Sequence, residues 1–200
     1  MTAAGRTSDA GQAFPIYITV VAGLLFLAFA YFAVGQAAVN RSGAQTAADA
    51  AALAAAQDTR DQLAAEWVKD VRDPAEWQKI FDGGGDGIKP SCWRAYGLAR
   101  QNDAQVIDCA SSGPMSYTVD VQTDKTMGKS VVPLTESKRS KARATAVIEP
   151  LCDVPPLPAD APTDTLPRLT CKGNKSWDVD PKHLTDLPQP HDLFDVHLAD

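Results

Sequence analysis

The longest apolar run in the chain lies near its beginning, from Ala13 to Gly35, and contains no charged side chain. As a helix this run is roughly 35 Å long, enough to cross a hydrocarbon core of about 30 Å. A helix is required because lipid offers no hydrogen-bond partner to an open backbone group. The pattern therefore predicts one transmembrane helix at 13–35, preceded by a short segment at 1–12. A cleaved signal peptide is the alternative, but its apolar region is normally only about 7–15 residues long.

Alanine dominates the stretch that follows, and alanine has the highest helix propensity of all residues. We therefore expect the membrane helix to continue outward over residues 36–73, with Gly43 as its weakest point. Small side chains recur on one face of this extension at Ala44, Ala48, Ala51, Ala52 and Ala55. Such residues allow another element to approach closely, so we interpret them as a helix-packing face. A spacer selected only for helix propensity would show the same pattern.

After the long helix, residues 74–150 are predicted to form shorter helices and strands. Asp73, Pro74 and Glu76 form a capping-box arrangement that predicts a new short helix, and the glycine-rich loop at 82–87 predicts a flexible turn after it. Strict alternation at 116–122 predicts a half-buried strand with Tyr117, Val119 and Val121 on one face. Further strands are predicted at 105–109 and 143–149, with an edge strand at 129–134. The expected fold class is α+β: a long helix packed on a small antiparallel sheet.

Residues 151–200 are rich in proline and aspartate, which predicts an extended acidic tail. The last residues regain apolar character through Leu193, Phe194, Val196 and Leu198, so this end is expected to dock on the domain or on a partner. The whole chain has a net charge of -6. No basic face of the kind that binds nucleic acid is evident. The densest basic run is Lys138, Arg139, Lys141 and Arg143, and we interpret it as a solvated turn before a strand, in preference to a phosphate site.

Four cysteines, Cys92, Cys109, Cys152 and Cys171, all follow the predicted membrane helix. An even number in a small exported domain favours disulfides, whereas the absence of a Cys-x-x-Cys argues against a zinc site. Three pairings are possible, and the short loops favour Cys92–Cys109 with Cys152–Cys171. Because disulfides form outside the reducing cytosol, we expect a cytoplasmic N-terminus and an extracytoplasmic domain.

No catalytic arrangement stands out from the sequence. The histidines, His183, His191 and His197, all lie in the tail, and no nucleophile elbow, metalloprotease or dinucleotide motif occurs. A serine or cysteine nucleophile would therefore lack an evident positioned base. We predict a non-catalytic protein with no cofactor, no metal and no small-molecule substrate.

Two segments around the predicted span resemble the TadE/TadG-like proteins of the tight-adherence (Flp) pilus system. They are Gly11-Gln-Ala-Phe-Pro15 before it and Gln45-Thr-Ala-Ala-Asp-Ala-Ala-Ala-Leu-Ala-Ala-Ala56 after it. The stretch 142–147 also resembles the closing strand of such proteins. Two features differ: no glutamate follows Gly11 as in processed pilins, and no Asp-x-Ser-x-Ser metal motif of larger TadG-type proteins occurs.

The resemblance implies a single-pass envelope protein that takes part in pilus assembly or anchoring. Its implied partners are membrane lipid and other pilus or envelope assembly proteins. The alternative hypothesis is a membrane-tethered extracellular binding module, in which a disulfide-bonded domain and an acidic tail engage a ligand. An envelope hydrolase is the third and least favoured hypothesis.

Overall fold

A computed structural model describes residues 13–126, 137–154, 166–180, 182–183 and 186–199. The segment at 1–12, the strand predicted at 129–134 and much of the proline-rich stretch lie outside the described residues. The helices are α1 Ala13–Lys69, α2 Pro74–Phe81, α3 Cys92–Gln101 and α4 Pro190–Leu193. The strands are β1 Ala104–Ser111, β2 Ser116–Thr126, β3 Arg139–Pro150, β4 Cys152–Asp153, β5 Leu169–Cys171, β6 Lys175–Trp177 and β7 Phe194–Leu198.

Helix α1 is one uninterrupted helix of 57 residues, about 85 Å long. It includes both the apolar run and the alanine-rich stretch, and Gly43 does not break it. Only its second half is packed against the rest of the chain, since burial begins at Ala44. The first half is exposed in the described part of the chain. The predicted helical continuation beyond Gly35 is confirmed, but the helix ends at Lys69 and not at residue 73.

The main sheet is antiparallel with strand order β1-β2-β3-β7. Tyr117, Val119 and Val121 of β2 are buried on its inner face, as the alternation predicted. Helices α1 and α3 cover this face and complete the core. The outer face is polar: a Thr118–Thr145 hydroxyl pair lies 2.9 Å apart, and Arg143 donates to Asp120 at 2.7 and 2.6 Å. The predicted α+β class, with a long helix on an antiparallel sheet, is confirmed.

Helix α3 was not predicted from the sequence. Its buried contacts are made by Ala95 and Ala99, and no large apolar residue marks its inner face. Hydrophobic periodicity therefore gives little signal, although the helix packs closely beside α1 through these alanines. Its N-terminus is fixed by Cys92, which forms a disulfide with Cys109 of β1.

The end of the predicted tail is part of the domain. Strand β7 pairs with β3 as the fourth strand of the main sheet, with Ile148 opposite Val196. Leu193 and Phe194 are fully buried, and the Phe194 ring stacks on Phe81 with centroids 5.2 Å apart. Strands β4, β5 and β6 form a second small sheet before it. The expected docking of this end is thus found on the domain itself.

The short helix α2 begins as predicted, with one difference at its cap. The Asp73 carboxylate accepts a hydrogen bond from the backbone N–H of Ala75 at 3.2 Å, and Pro74 occupies the first turn. The Glu76 carboxylate pairs with Lys79 at 3.3 Å and does not close a capping box.

The glycine loop after α2 approaches α1 closely, where the sequence predicted only a flexible turn. Gly83 has a φ of 83°, which side chains other than glycine rarely adopt. A Cβ placed on Gly87 would lie 2.6 Å from a Glu66 carboxylate oxygen. Gly83 is therefore required by its backbone conformation, whereas a side chain at Gly87 would require the Glu66 carboxylate to move.

Candidate assembly surface

The apolar first half of α1 is a long uncovered surface in the described part of the chain. It is long and apolar enough to cross a membrane, and none of it is buried against the rest of the described chain. Its large side chains, from Phe14 to Val39, are all exposed. The Thr19 hydroxyl donates to the Pro15 carbonyl at 2.8 Å, so this polar side chain is satisfied within the helix. The surface is suited to lipid or to other apolar helices.

The helix-packing face lies inside the domain. Ala44, Ala48, Ala51, Ala52 and Ala55 are all fully buried, together with Ala47 and Ala56. Their neighbours are strands β2 and β3 and helix α3 of the same chain. The small side chains therefore allow close packing on the chain's own sheet. Another helix cannot occupy the same face, so contacts between proteins must use a different surface.

Replacing Ala51 with leucine is expected to destabilise the domain by about 1–3 kcal/mol, because a larger side chain does not fit under the sheet without displacing it. Leucine has nearly the helix propensity of alanine, so the helix itself is hardly affected. Ala65→Leu, at an exposed position of the same helix, is the matched control. Urea unfolding of the detergent-solubilised chain, followed by tryptophan fluorescence, measures both. Equal midpoints for the two variants would contradict the buried role of Ala51.

A buried polar cluster joins α1, α3 and β2 further from the span. The Thr59 hydroxyl lies 2.7 Å from that of Ser91 and donates to the Tyr117 hydroxyl at 2.9 Å. The backbone N–H of Ser91 also donates to Tyr117, at 3.2 Å. All three residues are buried. The cluster fixes the start of α3 against the other two elements, and no sequence motif indicated it.

Tyr117→Phe is expected to lower the free energy of unfolding by about 1–3 kcal/mol, since it leaves the Ser91 N–H and the Thr59 hydroxyl buried with one partner fewer. The phenyl ring keeps the packing, so the loss reports the hydroxyl alone. Thr118→Val changes a hydroxyl on the outer face of the same strand and serves as the control. Thermal unfolding followed by near-UV circular dichroism gives the difference, and an unchanged midpoint for Tyr117→Phe would refute this role.

All four cysteines are paired in disulfides. Cys92 is joined to Cys109 and Cys152 to Cys171, which are the pairings that the short loops favoured. The first disulfide ties α3 to the edge strand β1, and the second ties β4 to β5. Two disulfides in a small domain are typical of proteins that mature in an oxidising compartment.

The titratable residues of the described chain do not converge on a reaction centre. His183, His191 and His197 are exposed and lie next to Asp180, Asp192 and Asp195 respectively. The hydrogen bond and charge of Asp180 raise the pKa of His183. Within the described ranges, no three histidine, cysteine or acidic side chains come together as a metal-binding group. These residues form separate surface pairs.

The fold is a disulfide-bonded α+β domain carried on one helix that is long and apolar enough to cross a membrane. Comparison with known families identifies its N-terminal part more closely: residues 11–58 match the family described as putative Flp pilus-assembly TadE/G-like. The predicted resemblance is confirmed over this segment, which includes the span and the alanine-rich helix as far as Asp58. The stretch 142–147 lies beyond the match. No curated protein and no solved structure matches the chain.

Proposed function

We propose that this protein is a non-catalytic, pilin-like envelope protein that takes part in assembling or anchoring a Tad/Flp pilus. The observation that carries the proposal is the position of the family match. It covers the exposed first half of α1 and the packed second half as far as Asp58. The part shared with the family is thus the rigid connection between a membrane anchor and a folded domain.

The exposed span is the surface proposed to contact other assembly proteins. The alanine face is occupied by the chain's own sheet, whereas the large apolar side chains between Phe14 and Val39 are exposed in the described part of the chain. Gly23 and Gly35 have no neighbouring atom within 4 Å of an added Cβ, so a second helix could approach there. Partner helices would pack in the membrane beside this span, with lipid covering the remainder.

Photocrosslinking within the membrane tests this arrangement. A benzophenone amino acid placed at Leu25 or Phe29 should give specific crosslinks to other pilus or envelope proteins in cells that contain the whole system. The same amino acid at Lys89, an exposed position at the far end of the domain, is the control. Crosslinks to lipid alone at both span positions would argue against a role in assembly.

The domain is proposed to lie outside the cytoplasm, with the N-terminus inside. Both disulfides support this topology, because the cytosol keeps thiols reduced. A membrane-impermeant thiol reagent should label the protein in intact cells only after reduction. Labelling without reduction, and only in lysed cells, would reverse the topology and remove the disulfide argument for an envelope role.

A membrane-tethered binding module is the second candidate, and an exposed aromatic pair favours it. Trp93 and Tyr96, on one face of α3, are 61% and 47% exposed, and the Arg94 guanidinium lies 5.0 Å from the Trp93 ring centroid. Exposed tryptophan and tyrosine side chains are typical of binding surfaces. Deleting residues 151–200 would not test this candidate, because it removes β7 from the sheet. Trp93→Ser with Tyr96→Ser is the appropriate variant: lost ligand binding with assembly intact would favour the binding module.

A further inference from the structure

Four basic side chains gather at the end of the domain nearest to the span. We propose that this basic collar, defined as Arg41, Lys138, Arg139 and Lys141, binds the anionic phospholipid headgroups of the membrane that α1 crosses. All four side chains are exposed. Arg41 is the first charged residue after the apolar run, whereas the other three lie about a hundred residues later at the start of β3.

Hydrogen bonds from two α1 side chains to backbone carbonyls of β2 and β3 place the start of β3 beside the first turns of α1 that leave the span. The Asn40 side-chain amide donates to the Thr126 carbonyl at 3.3 Å, and Thr126 pairs with Arg139 in the sheet. Five residues further along α1, the Gln45 amide donates to the Arg143 carbonyl at 3.4 Å. Helix and strand therefore run outward from the membrane side by side. Arg139 lies at the level of Asn40, the membrane-proximal end of the domain.

Arg41 belongs to the same patch. It precedes Gln45 by four residues, so the two side chains lie on the same side of the helix, one turn apart. Because Gln45 reaches β3, Arg41 lies on the β3 side of α1 and closer to the membrane. It is about 9 Å beyond Gly35 along the helix. The headgroup layer is roughly 5–8 Å thick, and long basic side chains extend along the helix to reach it.

The charges of the collar are available to a ligand. None of its four side chains forms an ion pair with a carboxylate in the described part of the chain, whereas the neighbouring Lys125 is paired with Asp103 at 2.8 Å. The positive charge of Lys141 acts on Asp120 of the neighbouring strand β2. The pKa of Asp120 is lowered mainly by the hydrogen bond from Arg143, with a smaller contribution from Lys141. Arg143 is thus occupied by Asp120 and lies outside the collar.

The tertiary structure changes the interpretation of this basic run. From the sequence we interpret it as a solvated turn before a strand, because no neighbouring residues in the chain indicate a membrane. The fold instead places it at the base of an otherwise acidic protein of net charge -6. Positive charge at the membrane end and negative charge elsewhere would hold the domain upright on an anionic bilayer. Juxtamembrane lysine and arginine side chains near such a surface each strengthen binding about fivefold.

Lysine footprinting of the full chain tests this proposal. The protein is reconstituted into bilayers of phosphatidylcholine alone, or of phosphatidylcholine with an equal amount of phosphatidylglycerol. Exposed amines are then acylated and quantified by mass spectrometry. The reactivity of Lys138 and Lys141 should fall about fivefold in the anionic bilayer, whereas Lys89 at the far end should not change. At about 1 M salt the protection should disappear, because the Debye length shrinks to about 3 Å.

A matched pair of variants separates headgroup binding from mere proximity to the bilayer. Lys138→Gln with Arg139→Gln should restore the reactivity of Lys141 in the anionic bilayer. Arg72→Gln with Lys89→Gln removes the same charge at the distal end and should leave Lys141 protected. Intact disulfides and an unchanged circular dichroism spectrum show that both variants fold. The proposal would be overturned if, in the unmodified protein, Lys138 and Lys141 reacted as fast in the anionic bilayer as in the neutral one. It would also be overturned if Lys141 stayed protected in the Lys138→Gln, Arg139→Gln variant. Neither result would bear on pilus assembly.

Discussion

Replacing Phe194 with alanine is expected to lower the free energy of unfolding of the domain by about 3–5 kcal/mol. Phe194 is fully buried, stacks on Phe81 of α2 and begins β7, the last strand of the main sheet. Truncation removes apolar contacts and leaves a cavity between the sheet and α2. Because the residue lies close to the end of the chain, a large effect would show that the C-terminal residues belong to the cooperative fold.

The measurement is urea unfolding of the detergent-solubilised chain, followed by the fluorescence of Trp67 and Trp77, both buried in the core. His197→Ala is the matched control, since His197 lies on the same strand with an exposed side chain. It should change the stability by no more than about 0.5 kcal/mol. A Phe194→Ala variant as stable as this control would mean that β7 contributes little to the fold.

The double variant Cys92→Ser, Cys109→Ser is expected to destabilise the domain by about 3 kcal/mol. The two cysteines are 17 residues apart, and their disulfide joins the start of α3 to the edge strand β1. Without it the unfolded chain gains the freedom of an open loop. The folded domain also loses the covalent link that holds α3 over the sheet beside α1.

The loss should be visible in the thermal midpoint of the oxidised protein and should vanish when both proteins are measured after full reduction. Ala110→Ser, an exposed substitution on β1, controls for adding a hydroxyl to that strand. If the double variant unfolded at the same temperature as the parent under oxidising conditions, the packing of α3 would have to depend on Ala95, Ala99 and the Thr59–Ser91–Tyr117 cluster alone.

Several elements could be predicted because their patterns are local. A long run without charges indicates a membrane helix, since a helix satisfies all of its backbone hydrogen bonds within the one segment. Strict alternation at 116–122 defines a strand with one buried face, and Asp73-Pro74 starts a helix. Helix α3 escaped prediction because its inner face consists of alanines, whose burial depends on how closely a neighbour approaches.

Some of the candidate surfaces could likewise be predicted from the sequence, whereas others depend on the fold. The alanine face predicted from the sequence is buried against the chain's own sheet and α3, a neighbour that the sequence could not name because small side chains suit a sheet as well as a helix. The sequence also showed the exposed span, whose apolar character does not depend on the fold. The basic collar depends wholly on the sheet register, which brings Arg139 to the level of Asn40.

By itself, then, the sequence determined the membrane anchor, its helical extension, the antiparallel strands and the likeness to TadE/G-like proteins, because each follows from residues adjacent in the chain. Tertiary structure alone decided that the alanine face is covered by the chain's own sheet and α3. It also decided that the acidic tail ends as a strand of the main sheet. Finally, it decided that the basic run at 138–141, which is far from the span in sequence, lies next to the span at the membrane-proximal end of the domain. These three features depend on contacts between distant residues, and such contacts are set by the packing of the whole core.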